Sequence, residues 1–192
     1  MSGTLDELKS LYRPGKENTA DVTEHSLLAD AIGDNDPARR CAKANFLLDD
    51  GADPTWRHPY YGFGLLHILF GKARKVAPIT DGDVALMGRL LEGGADPNAI
   101  DRRTGTALQA LLEQALLFSE ASVEGCYDIL FQRDGLDLFD HVSRTHTLYG
   151  LAHRERSLVP NFWEHTERYI QTHHLVVPSD PENDQEDDDS GT

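Results

Sequence analysis

Nine residues occur almost twice in this chain: LLDDGADPT, ending at Thr55, and LLEGGADPN, ending at Asn98, 43 positions apart. A catalytic motif is normally used once; a segment repeated at a fixed interval is architecture. The chemistry of the segment says which kind. Leu47-Leu48 and Leu90-Leu91 close a helix on its buried face, and the following glycine supplies the left-handed residue that stops it. Asp53-Pro54 and Asp96-Pro97 then direct the chain into an extended turn. A degraded third copy starts at Leu130-Phe131 and continues through Asp134, Gly135, Leu136 and Asp137.

An amphipathic helix precedes each stop. Asp36-Pro37 predicts an N-cap followed by proline at the first helical position, opening a helix that buries Cys41, Asn45 or Phe46, and Leu48. Val84, Met87 and Leu91 form the matching stripe of the second unit, and Val123, Tyr127 and Leu130 that of the third. Each unit also has an earlier helix, at residues 62–71 and 104–117 in units two and three. In unit one it spans 25–32, with Asp21 and Glu24 placed as N-cap and return partner. A fourth pair is predicted at 145–154 and 161–174. The pattern predicts an all-α stack of about four helix-turn-helix units.

In its motifs the chain resembles the ankyrin-repeat family, whose unit opens on a Thr-Pro-Leu-His-x-Ala turn and runs for about 33 residues. Residues 64–69 keep Leu66 and His67 of that opening, residues 106–111 keep Thr106 and Leu108, and the Gly-Ala-Asp-Pro closures match the end of the family's repeat. The likeness covers residues 23–174 and implies a solenoid in which His67 ties its turn to the next repeat. It also implies finger-like connections that, with the first helices, present a concave binding face. The intervals here exceed the family's by roughly eight to ten residues. The excess falls between paired helices, around 72–82 and 117–125, as longer first helices or longer loops.

Terminal repeats need covering. Residues 5–12 predict a short capping helix within an N-terminal segment 1–22, and Phe162, Trp163, Tyr169 and Ile170 predict a closing helix for the repeat domain, 23–177. Residues 178–192 hold seven acids between Asp180 and Asp189 and too few apolar residues to fold, so a disordered acidic tail is expected. The chain's net charge is −15, leaving about −8 outside that run. This field disfavours nucleic acid and anionic membranes and attracts basic partners. The first residues lack the basic-then-apolar order of a signal peptide, and no apolar run is long enough to span a bilayer; the expectation is a cytoplasmic protein, monomeric when unbound.

Catalytic and metal chemistry find little to stand on. Cys41 and Cys126 sit at similar heights on second helices two repeats apart, too far for a disulfide, and read as buried thiols. The nine histidines include no HExxH or paired i, i+4 set, and the Gly-x-Gly at residues 62–64 lacks the third glycine and preceding strand of a nucleotide loop. No catalytic residue, cofactor or metal is therefore expected. The connections are richer. Trp56, Arg57, His58, Tyr60 and Tyr61 crowd the first, Asp101, Arg102 and Arg103 the tip of the second, and His141 and Arg144 the third. Tryptophan, tyrosine and arginine are the side chains of interface hot spots. The expected function is stoichiometric protein binding, of the kind an inhibitor or immunity protein performs on a toxin or enzyme with a basic surface. An adaptor joining two proteins is the first alternative. A metal protein or enzyme using His165, His173 and His174 is the second.

Overall fold

The computed structural model of the chain describes residues 4–11, 26–71, 78–101, 105–139 and 147–177. Asp21, Glu24, Arg102, Arg103, His141, Arg144 and the acidic segment 178–192 lie outside these residues, as do 72–77 of the second inter-helix segment.

Polar side chains start the helices. Ser26 caps α2 (Leu27–Ile32), a later start than Asp21 predicted, because the Ser26 hydroxyl accepts from the Ala29 amide. Asp36 caps α3 (Pro37–Asp49) as expected, accepting from the Arg39 amide at 3.0 Å with proline in the first turn. Thr80 and Asp83 form a reciprocal capping box on α5 (Asp81–Glu92). Thr106 and Thr147 cap α6 (Ala107–Leu117) and α8 (Leu148–Arg154). The remaining helices are α1 (Leu5–Leu11), α4 (Leu65–Leu69), α7 (Glu124–Leu130) and α9 (Pro160–Thr172).

The stops explain the repeated nonapeptide. Gly51, Gly94 and Gly135 have φ of 87°, 98° and 79°, the left-handed region where glycine has no Cβ penalty. In the first two copies the Ala52 and Ala95 amides reach back 2.9 Å to the Leu47 and Leu90 carbonyls, while Gly51 and Gly94 donate to Leu48 and Leu91. This is the Schellman closure, and the paired leucines are its acceptors as well as core residues. In the third copy the amide after the glycine, Leu136, donates instead to the Tyr169 hydroxyl of α9 at 2.7 Å.

The chain is mostly helical, as the all-α expectation requires. Its pairs are stacked in sequence order. α2 packs on α3, α4 on α5 and α8 on α9, while a 3-10 turn (Glu120–Ser122) links and touches both α6 and α7. First helices meet in the order α2, α4, α6, α8, second helices in the order α3, α5, α7, α9, and α1 lies on α3. A continuous apolar core runs through the stack, from Leu28 and Ile32 through Leu66, Leu90, Leu111 and Leu130 to Phe162. Unit three absorbs part of the long interval in an eleven-residue first helix, whereas the first helix of unit two has five residues.

The buried face of α3 differs from the expected stripe. Cys41, Asn45, Phe46 and Leu48 are half-buried, and Arg40, Lys43, Ala44 and Leu47 point inward. Two cations can be buried because each meets a carboxylate. Arg40 makes a bidentate pair with Asp83 of α5, both bonds 2.6 Å and both side chains 0% exposed, and gives its remaining nitrogen to the Asp34 carbonyl. Lys43 and Arg39 share the Asp34 carboxylate at 2.8 and 2.9 Å. The Arg39 hydrogen bond, aided by Lys43 against the opposing effect of burial, holds that carboxyl well below the ordinary range. For Asp83 burial is the largest influence and pushes upward, but the Arg40 and Thr80 bonds together outweigh it and lower its pKa.

Candidate functional site

The connection between α3 and α4 is an ordered finger. Asp53 starts it by accepting from the Thr55 amide (2.8 Å) and hydroxyl (2.6 Å). Arg57 and Gly64 form an antiparallel bridge at its base, and the His58 amide donates to the Phe63 carbonyl at 2.8 Å. The Gly62 amide closes the turn onto the His58 carbonyl at 2.9 Å, while the His58 Nδ1 accepts the Tyr60 and Tyr61 amides at 3.3 and 3.4 Å. Every backbone amide from Tyr60 to Gly62 is thus directed inward at His58, and the two tyrosine side chains are held outside. Tyr60 is 62% and Tyr61 41% exposed. The Tyr61 ring lies parallel to Phe63 at 6.2 Å and against His58 at 4.8 Å.

The next connection is fastened beside it. β1 (Ile100–Asp101) and β2 (Gly105–Thr106) form a small antiparallel hairpin. Gly62, at φ 80°, approaches this hairpin so closely that a Cβ there would stand 2.8 Å from the Ile100 carbonyl oxygen. Arg57 pairs with Asp96 across the same gap. His67 accepts the Gly64 amide on Nδ1 (3.2 Å) and so presents Nε2–H to the Gly105 carbonyl at 3.0 Å. That contact is the turn-to-next-turn tie which the resemblance implied for His67. Further along, the Asn98 side chain donates to the Gly135 carbonyl (2.6 Å) and accepts from the Asp137 amide (2.9 Å), joining second connection to third.

Of the residues expected on this edge, Arg102, Arg103, His141 and Arg144 lie outside the described residues, and the described ones divide between outward and inward positions. Trp56, expected as an anchor for a partner, is half-buried against the core with its ring edge-on to Phe63. Arg57 is engaged by Asp96. Asp101, expected at an exposed tip, is 1% exposed, because the tight hairpin turns its side chain inward. Ile100, which alternation along the strand sends outward, is 39% exposed and adjoins the Gly62 turn. The described edge is therefore Tyr60, Tyr61 and Ile100, and the carboxylates Asp53, Glu92, Asp134 and Asp137, at the helix ends and in the connections that follow, are exposed. Strand alternation in "AIDRRTG" was the available signal for Ile100.

Elsewhere, chemistry is sparse. A crevice of about 140 Å³ lies between α7 and α9, with Phe131 and Tyr169 as apolar lining and His165, Arg168, His173 and Asp128 among the polar groups. Among the described residues, no group of three or more His, Cys, Asp or Glu side chains is arranged to hold a metal ion. Cys41 and Cys126 form no disulfide, and the Cys41 thiol reaches the Asp83 carboxylate at 3.9 Å. Cys41 is only half-buried, correcting the expectation of two buried thiols, whereas burial, reinforced by the charge of Asp83, pushes the Cys126 thiol up to about 12. Among the described residues no helix is long and apolar enough to cross a membrane.

No family model matches the chain, and no curated protein does. Its architecture is similar to the crystal structure of a functionally unknown protein from Leptotrichia buccalis C-1013-b. The TM-score is 0.69 and the identity 24%, and the match covers 91% of this chain and 92% of that one. At that identity the likeness is one of fold.

Proposed function

We propose that the chain is a divergent ankyrin-repeat protein that works by stoichiometric protein binding, as an inhibitor or immunity-type protein acting on a partner with a basic surface. Supporting the family reading are the stacked helix pairs, the Schellman closures on Gly-Ala-Asp-Pro, and the His67 link between successive connections. The observation that carries the functional reading is the pair of tyrosines held outward by a turn whose own amides are satisfied. A large aromatic surface on a pre-ordered backbone binds with little further loss of conformational entropy. The chain's net charge of −15 favours a basic partner and speeds encounter.

The test is affinity capture from the source lysate with the intact chain and with a Tyr60→Ala, Tyr61→Ala variant, at low and high salt. The expected result is one partner held in a closed one-to-one complex, weakened by salt and lost in the variant. Equal capture by both chains would remove the finger edge as the binding site.

A further inference from the structure

The crevice of about 140 Å³ between α7 and α9 has no part in the function proposed above. Its lining is rich in rings. His165, Tyr169 and His173 recur along α9 at i, i+4 and i+8, and the Phe131 ring stands 5.5 Å from His165 and 6.0 Å from Tyr169. The rings are held from behind. The Tyr169 hydroxyl accepts the Leu136 amide at 2.7 Å, and Phe131 is edge-on to the buried Phe162 at 5.5 Å. Across from them, the Asp128 Oδ1 lies 3.8 Å from the His165 Nε2, too far for a hydrogen bond, so the carboxylate keeps acceptor capacity. The Asp128 and Arg168 side chains in the lining are 64% and 62% exposed, so the crevice opens to solvent.

Charge and size state what it can hold. Residues 124–139 and 160–177 carry six acids against two arginines. Both arginines are engaged, Arg133 by the Leu91 carbonyl at 3.2 Å and Arg168 by the Glu164 carboxylate at 2.6 Å. The crevice also follows the last turn of α9, the negative end of the helix dipole. An anion is disfavoured here, whereas a cation gains both from Asp128 and from the ring faces. Pockets for drug-sized ligands begin at about 300 Å³, so this one suits a single small group. A guanidinium fits better than an ammonium, because it is planar, weakly hydrated, stacks on rings and forks onto a carboxylate. We propose that the crevice between α7 and α9 binds a guanidinium group, laid against Phe131 and Tyr169 and paired with Asp128. The site is built by units three and four and is independent of the finger between α3 and α4.

The test is a chemical-shift titration of the full isotope-labelled chain with N-acetyl-arginine amide. Two control ligands are the neutral isostere N-acetyl-citrulline amide and N-acetyl-lysine amide. The arginine amide should bind with a Kd of about a millimolar, its shifts concentrated in residues 128–132 and 165–173. The citrulline amide should bind about tenfold more weakly or worse, and the lysine amide more weakly than the arginine amide. Asp128→Asn should weaken the arginine amide about fivefold or more, whereas Arg168→Ala and the Tyr60→Ala, Tyr61→Ala variant should not weaken it. Asp128 and Arg168 are more than half exposed, and unchanged circular dichroism of their variants will show that the fold is kept. No shifts in these residues, equal binding of either control amide, or indifference to Asp128→Asn overturns the proposal. So does weakening by Arg168→Ala, which would mark an anion site. A parallel titration with free arginine identifies the source: tighter binding than the amide points to the free amino acid, weaker binding to an arginine side chain of a protein, and either outcome upholds the guanidinium site.

Discussion

Removing Asp83 should damage this protein more than removing any surface charge. In Asp83→Ala the Arg40 guanidinium, 0% exposed, loses both of its 2.6 Å carboxylate bonds and stays buried without a counter-ion. Breaking one side of a buried pair costs about 3–5 kcal/mol. The same substitution strips α5 of the Thr80–Asp83 capping box, worth about 1 kcal/mol more. At about 2–4 °C per kcal/mol for a chain of this size, the melting temperature should fall by about 10–20 °C. Urea unfolding followed by circular dichroism, with an unchanged m-value, is the assay. Replacing both partners, Arg40→Met with Asp83→Leu, should recover much of the loss, because the penalty comes from the orphaned charge. Arg168→Ala, which breaks the exposed pair with Glu164, should cost less than about 1 kcal/mol. The folded pKa of Asp83 is lowered, so its contribution is fully present above the ordinary carboxylate range and is lost as the pH falls below it. Acid sensitivity should therefore be shallower in the double variant, with Asp34 supplying the remainder in the same direction. A loss under about 1 kcal/mol in Asp83→Ala, or a double variant no better than the single one, would refute the reasoning.

Three further outcomes are expected. His67→Ala leaves the Gly64 amide and Gly105 carbonyl without their shared partner and should cost about 1–3 kcal/mol, with faster amide exchange concentrated in the second connection. Gly135→Ala meets no atom within 4 Å, so its cost of about 1–2 kcal/mol, read by thermal unfolding, is purely that of the left-handed backbone. At pH 8, iodoacetamide should label half-buried Cys41 well before Cys126, whose thiol is buried and pushed up to about 12, as peptide mass spectrometry would show.

The helix stops were legible because their chemistry is local: a glycine in the left-handed region and two acceptor carbonyls lie within six residues. The face of α3 was not, because Arg40 and Lys43 read as surface residues until their carboxylates are known. A signal existed. Arg40 and Asp83 are 43 residues apart, the offset of the repeated nonapeptide, so opposite charges occupy equivalent places in adjacent units. The tyrosine finger was partly legible from its composition. Which rings face outward depends on amides bonding to His58 and on the approach of Gly62 to the next hairpin, and neither is a property of the segment alone. The length of α6 was not legible, because composition could not divide the excess between a longer helix and a longer loop.

The bonds that join successive units span about one unit each: Leu136 to Tyr169 spans 33 residues, His67 to Gly105 38, Phe162 to Glu120 42, Arg40 to Asp83 43 and Arg89 to Asn45 44. Among the described residues no hydrogen bond reaches further. Loop-closure entropy is therefore incurred in similar steps, each set by about one unit's length and none by the length of the chain. Such a molecule has no first and last element that must find each other. Assembly can begin wherever a pair forms and spread in either direction, and a break at one end leaves the opposite end nearly as stable as before.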